Sequence, residues 1–164
     1  MEKSNTIPTA IAFVVFVGLI IGGYLYLKNV VNSNREETYE NAIKDIGTLP
    51  DIQIKLNGIY YRATPVISYA TQNFMKNFPM SVQMSDENSN QKKGCVYFKI
   101  EGDSDKPKNI EKGDLLIYGD SCIVIATSDF AGHGKYKKIG HINNIDGLPD
   151  GSYPALFSEA SAIR

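Results

Sequence analysis

Gly113-Asp114-Leu115-Leu116-Ile117-Tyr118-Gly119-Asp120-Ser121-Cys122-Ile123-Val124-Ile125-Ala126 holds two short apolar runs, Leu115 to Tyr118 and Cys122 to Ala126. Runs of this length bounded by turn residues read as β-strands. Gly119-Asp120-Ser121 joins them tightly.

Downstream, Asp129 to Lys135 (DFAGHGK) is a glycine-bearing loop, Lys138 to Ile142 a short strand and Asp150-Gly151 a turn. Tyr153 to Ala162 is read as a final helix. Upstream, Cys95 to Ile100 reads as a strand, and the Gly-, Asp-, Pro- and Asn-bearing segment Glu101 to Lys112 as a long loop. Asp86 to Lys93 is polar and reads as another loop. Met80, Val82 and Met84 alternate with polar residues, the period of a half-buried strand. Ile67, Ala70, Phe74 and Phe78 recur at three and four residues, a helical stripe with Ser68 as N-cap and Pro79 as the stop. Ile52, Ile54 and Leu56 alternate again, and Asn57-Gly58 leads into Ile59 to Ala63. Asn-Gly between two such runs is a strong hairpin signal, because both residues tolerate positive φ. Many short strands with one helix predict a mainly β fold, a small barrel or sandwich with a helical cap.

The first fifty residues are of another kind. Ala10 to Leu27 (AIAFVVFVGLIIGGYLYL) carries no charge, and eighteen residues span about 27 Å, close to a thin hydrocarbon core. Tyr24, Tyr26 and Lys28 stand where interfacial anchors would lie. The expected organisation is a tail (1–9), a transmembrane anchor (10–27), a polar juxtamembrane linker (28–50) and a domain over 51–164. A cleaved signal is the alternative, although Ile21-Gly22-Gly23 makes a poor cleavage site. The short N-terminal tail favours a single-pass protein with its domain outside the cytoplasm, and cleavage would give a secreted one. Within the linker, Tyr39, Ala42, Ile43 and Ile46 fall at helical spacing.

Composition removes several function classes. A net charge of -1 argues against a nucleic-acid binder that relies on a positive field. Hydrophobic content of 43% and charged content of 21% argue against disorder. Cys95 and Cys122 do not cluster with histidines as a metal site would require. Each lies in an apolar run, so the favoured reading is two buried free thiols, with a bridge open if the domain lies outside the cell. Gly132-His133-Gly134-Lys135 lacks the first glycine and the hydroxyl of a phosphate loop. Asp103 and Asp105 lack the remainder of a calcium loop, and His133 and His141 are not spaced as a metal pair. No cofactor or metal is expected.

The run Gly113 to Val124, the later Ile139-Gly140-His141-Ile142, the helix ending at Phe78-Pro79 with Met80 to Asp86, and the opening hairpin together resemble the bacterial and archaeal cyclophilin-like proteins. The resemblance covers about Ile52 to Leu148. It implies a closed antiparallel β-barrel with a helix capping one end, in small domains of mostly unassigned function that often follow a signal or lipid anchor. The family usually ends in a strand that pairs with the first. Either Ser161 to Arg164 alone remain for it and closure is incomplete, or the final segment is strand rather than helix.

True cyclophilins isomerise X–Pro bonds against a barrier of about 18–20 kcal/mol. By this resemblance Lys99 stands where they place an arginine, Ile123 where they place a phenylalanine wall and Tyr136 where they place a pocket histidine. No tryptophan stands near Ala131. Lysine lacks the planar fork of arginine, so the exchange is not conservative. The expected function is therefore a membrane-anchored binding module for a peptide or small ligand, with Lys99, Tyr118, Ile123, Phe130 and Tyr136 as contacts. Lys99 is the one candidate catalytic group. A weak prolyl isomerase and a structural envelope protein are the alternatives. The blander roles are rim packing for Tyr118 and Phe130 and a solvent-facing strand position for Lys99.

Overall fold

A computed structural model describes residues 22–26, 28 and 47–160. The chain divides into two units, residues 1–42 and 43–164. In the first, residues 22–26 and 28 are helical, and Tyr24, Leu25 and Tyr26 are exposed. Most of the expected anchor, and the linker helix expected around Tyr39 to Ile46, lie outside the described residues. No helix among the described residues is long and apolar enough to cross a membrane.

The second unit begins as its alternation dictates. β1 (Ile52–Leu56) and β2 (Ile59–Pro65) form an antiparallel hairpin, and Asn57 and Gly58 both take positive φ, 49° and 81°. Ile52, Ile54 and Leu56 are fully buried while the residues between them are half-buried. Helix α1 (Tyr69–Met75) follows. The Ser68 hydroxyl accepts from the Thr71 amide at 3.1 Å, satisfying one of the orphan donors of the first turn. The helix ends at Met75, earlier than the stripe through Phe78 predicts, and the Phe78–Pro79 peptide is cis.

β3 (Met80–Glu87) and β4 (Gln91–Cys95) form the next hairpin. The expected loop over Asp86 to Lys93 is therefore two strand ends and a short turn, with Asn88 at φ 61°. Its polarity hides a strand because Lys92 points inward and is still neutralised. Its side chain is 2% exposed and is ion-paired to Asp86. The expected strand Cys95 to Ile100 ends at Cys95, so Lys99 lies in irregular chain and not in a strand. β5 (Asn109–Ile110) is short. β6 (Asp114–Tyr118) and β7 (Cys122–Ala126) pair as the opening stretch predicts. β8 (Phe130–Ala131) lies within the expected glycine loop, and β9 (Tyr136–Ile142) begins two residues earlier than expected.

The final helix expected over Tyr153 to Ala162 is instead strand β10 (Tyr153–Glu159). It pairs with β1 on one side and β3 on the other, closing an eight-stranded barrel of order β1-β10-β3-β4-β7-β6-β9-β2. Closure is complete without Ser161 to Arg164. One helix caps the barrel among the described residues. On the pairing of β6 with β9 the register shifts by one residue between Leu115 and Leu116, leaving Ile139 opposite neither. The freed Ile139 carbonyl accepts from the Val66 amide at 2.9 Å and from the Thr71 hydroxyl at 3.3 Å, which fixes α1 against the barrel. Gly94 faces inward, where a Cβ would meet the Gln83 carbonyl and the side chains of Val82 and Met84. The barrel interior is filled by Ile54, Met84, Leu115, Ile117, Ile123, Ile125, Phe157 and their neighbours.

Cys95 and Cys122 stand directly opposite on β4 and β7 and form a disulfide. Free thiols were the favoured reading, and the register overturns it. Both residues sit at strand ends on the outer face, not in the core.

Two ionic clamps hold the barrel ends. At one, Asp86 accepts from Lys92 and from the Gly151 amide. At the other, Asp120 accepts from Lys137 at 3.1 Å and lies 3.6 Å from Lys99. The Lys92 hydrogen bond holds the Asp86 carboxyl below the usual carboxylate range, and the Lys137 hydrogen bond does the same for Asp120. Both carboxylates are about half exposed, so solvent screens part of the effect. A depressed carboxyl contributes stability above its unfolded pKa and loses it as pH falls through the folded value. Asp86→Asn is thus expected to destabilise the domain at neutral pH. The gap from the unsubstituted protein should narrow below about pH 4 and close in stronger acid. Urea unfolding across pH checks this, and a gap independent of pH contradicts it.

Candidate functional site

Leu115, Leu116 and Ile117 are all fully buried, although alternate residues of a barrel strand point in and out. Leu115 and Ile117 face the interior. Leu116 points out and is covered from outside, together with Val124, Ala126 and Tyr136. The cover is the small antiparallel ribbon of β5 and β8, which brings Ile110 and Phe130 over this face. The result is a second, smaller apolar cluster on the outer wall.

Its margin is aromatic. Tyr118 and Tyr136 are directly opposite on β6 and β9, with ring centroids 5.0 Å apart. Phe130 meets Tyr136 edge-on at 5.7 Å. His133 lies 4.7 Å from the Tyr136 ring and 5.8 Å from that of Tyr118. Tyr118 is the most exposed of the two tyrosines, and Lys93 and Lys135 sit over its ring at 5.2 and 5.9 Å. The Tyr136 hydroxyl is within 3.1 Å of Gln91 Oε1, to which it donates. Burial pushes the Tyr136 phenol up. Lys93 is also paired with Glu87, whereas Lys135 has no carboxylate partner among the described residues. The arrangement is a cluster of mutually tilted rings, an aromatic shelf with a positive border, suited to an apolar group that carries or adjoins negative charge.

Of the five residues expected to form a contact surface, three come together here: Tyr118, Phe130 and Tyr136. Ile123 does not join them. It follows Cys122, the partner of Tyr118, by one residue, so its side chain turns into the barrel, where it is fully buried. Lys99 is two-thirds exposed and paired with Asp120, in irregular chain beyond β4. The shelf residues that the sequence reading missed are His133, Lys93, Lys135 and Gln91. Lys93 and Gln91 were hidden in a strand read as loop. His133 was weighed for a phosphate loop and for a metal pair with His141, and neither reading brings it to Tyr118 and Tyr136.

A buried polar group lies on another part of the outer wall. Asp114, fully buried, is ion-paired with Lys138 at 2.7 Å and accepts from the Glu111 amide at 3.2 Å, with His141 Nδ1 2.9 Å away. Its charge is matched, so the cluster locks β6 to β9. Among the described residues no group of three metal-ligating side chains occurs.

Comparison with known proteins agrees with this architecture. No curated protein matches the chain. A solved structure, the solution structure of the hypothetical protein AF2241 from Archaeoglobus fulgidus, is similar in fold. It is 14% identical, with a TM-score of 0.53, over 70% of this chain and 97% of that one. A family model described as the cyclophilin-like family matches residues 54–156, a span running from inside β1 to inside β10 and holding the whole shelf. The chain belongs to the cyclophilin-like family.

Proposed function

We propose that this protein is a membrane-anchored binding module that holds a peptide or small ligand against the outer wall of its barrel. The observation that carries the reading is the shelf of Tyr118, Tyr136, Phe130 and His133 bordered by Lys93 and Lys135. Aromatic faces supply contact area at little entropic cost, and the lysines select negative charge. An extended peptide with an acidic residue beside an aromatic one has the matching chemistry. Isomerisation is the weaker reading. It asks Lys99, Ile123 and Tyr136 to line one groove, but Ile123 packs inside the barrel and Tyr136 in the outer cluster, which favours binding instead.

Titration of the full-length chain with such acidic aromatic peptides tests the site. The double variant Tyr118→Ala, Lys135→Ala is expected to weaken binding about tenfold or more, and Lys99→Ala to leave it unchanged. Unchanged affinity in the double variant removes the shelf as the site.

The anchor is part of the same proposal. The uncharged run 10–27 has the length of a bilayer span, and the helical residues 22–26 and 28 within and beside it support that role. The Cys95–Cys122 disulfide supports an oxidising compartment, with the domain outside the cytoplasm. Protease added to intact cells is expected to digest the domain. A domain protected until lysis would contradict this placement.

A further inference from the structure

Tyr136, Tyr118, Cys122 and Cys95 stand in one row across β9, β6, β7 and β4, each directly opposite the next, so all four share the outer face. The row stops at Cys95. β4 pairs with β7 from Gln91 to Cys95, but with β3 only from Gln91 to Lys93. β3 runs on against β10 as far back as Met80. A cleft of about 410 Å³ opens here, lined by residues 79–83 and 95–98 and within the ordinary range for small-ligand sites. The Gln83 side chain at this edge donates to Ser152, just ahead of β10, at 2.8 Å and so turns away from β4.

The asymmetry around the bridge decides which sulfur is open to attack. A thiolate breaks a disulfide in line with the S–S bond, from behind the sulfur it attacks. The way to Cys122 comes from the β6 side, where Tyr118 stands directly opposite it. The way to Cys95 comes from the β3 side, where the ladder has ended and the cleft opens. Cys95 is exposed and Cys122 half-buried, in keeping with this difference. The cleft also offers apolar surface. Met80, Val96 and Phe98 line it, half-buried against the barrel core. Tyr97 lines it fully exposed, its ring edge-on to Phe98 at 5.5 Å.

We propose that Cys95 and Cys122 form a thiol–disulfide exchange site for a cysteine-bearing peptide with an apolar residue beside its cysteine, and that Cys95 is the attacked sulfur. The peptide thiolate bonds to Cys95 Sγ and the Cys95–Cys122 bond breaks. Cys122 leaves with the electron pair and takes up a proton from water, matching the one that the peptide thiol gave up. A second cysteine of the partner then attacks its own sulfur in the mixed disulfide, and Cys95 leaves as a thiol. The bridge of the barrel is reduced, and the two cysteines of the partner are oxidised to one disulfide. The strands do not rely on the bridge for register, since five residue pairs join β4 to β7 and the Val96 amide donates to the Ser121 carbonyl at 2.8 Å just beyond them.

The test is exchange of the full-length folded chain with N-acetyl-leucyl-cysteinamide, quenched with N-ethylmaleimide and mapped by mass spectrometry. The peptide is expected on Cys95 and the maleimide on Cys122, at a rate unchanged by urea below the unfolding transition. N-Acetyl-seryl-cysteinamide is expected to react several-fold more slowly, and Tyr97→Ala to narrow that difference. Cys122→Ser and Cys95→Ser each leave one thiol, and both lack the bridge, so any loss of stability is common to the two. Towards the oxidised dimer of the leucyl probe, the thiol of Cys95 is expected to react at least about tenfold faster than that of Cys122. The proposal is overturned if the peptide is found on Cys122, or if the bridge opens only in urea that unfolds the barrel. It is also overturned if the two probes react at equal rates, or if the Cys122 thiol reacts as fast as the Cys95 thiol. None of these readouts requires a ligand on the aromatic shelf.

Discussion

β10 is the strand on which the rest of this domain depends. It is the last element among the described residues, and it fills the place between β1 and β3 through which the sheet closes on itself. Without it, β1 and β3 would each present a row of unpaired backbone groups to solvent, the condition that closed barrels abolish. β10 also completes the core. Phe157 meets Phe74 of α1 edge-on at 5.5 Å, and Phe74 in turn meets Phe78 at 5.0 Å. The helix is therefore seated by the last strand as well as by the Ile139 carbonyl on β9. Local signals at either end of the chain become a fold only when these distant segments meet.

The barrel carries two chemically distinct surfaces. The outer wall over β6, β7 and β9 is partly roofed by the β5–β8 ribbon, and the aromatic shelf forms where that roof ends. The barrel mouth near Lys92 is walled by loops that a single ion pair and its carbonyl partner draw inward. The outer wall carries aromatic rings beside lysines, and the mouth carries the Asp86–Lys92 ion pair. The two differ in chemistry because one is built from strand faces and the other from turns, where polar residues gather.

Much of this was legible before any coordinates. Asn57-Gly58 specified the first hairpin through its need for positive φ, and the runs on either side of Gly119 specified β6 and β7. β10 was misread because Ala, Leu, Ser and Glu are acceptable helix formers. The buried Ala155 and Phe157 alternate with exposed Pro154 and Leu156, a period of two that tertiary pairing made decisive. The disulfide could not be read from spacing, since it depends on the register of β4 against β7. Lys92 was illegible for a related reason, because a lysine marks a solvent face unless its partner is known. Of the candidate contacts, Tyr118, Phe130 and Tyr136 lie together on the outer wall, while the parity of its strand turns Ile123 into the barrel and Lys99 lies in irregular chain beyond Cys95.

Amide hydrogen exchange across residues 153–159 tests the account most directly, since closure by β10 underlies everything else. The account predicts that the amides of Ala155 to Ser158 exchange among the slowest in the domain, with those of Ile54 on β1 and Val82 on β3, through unfolding of the whole barrel. Rapid exchange of Ala155 to Ser158 while Ile54 and Val82 stay protected would contradict it, because the barrel would then be open along that edge.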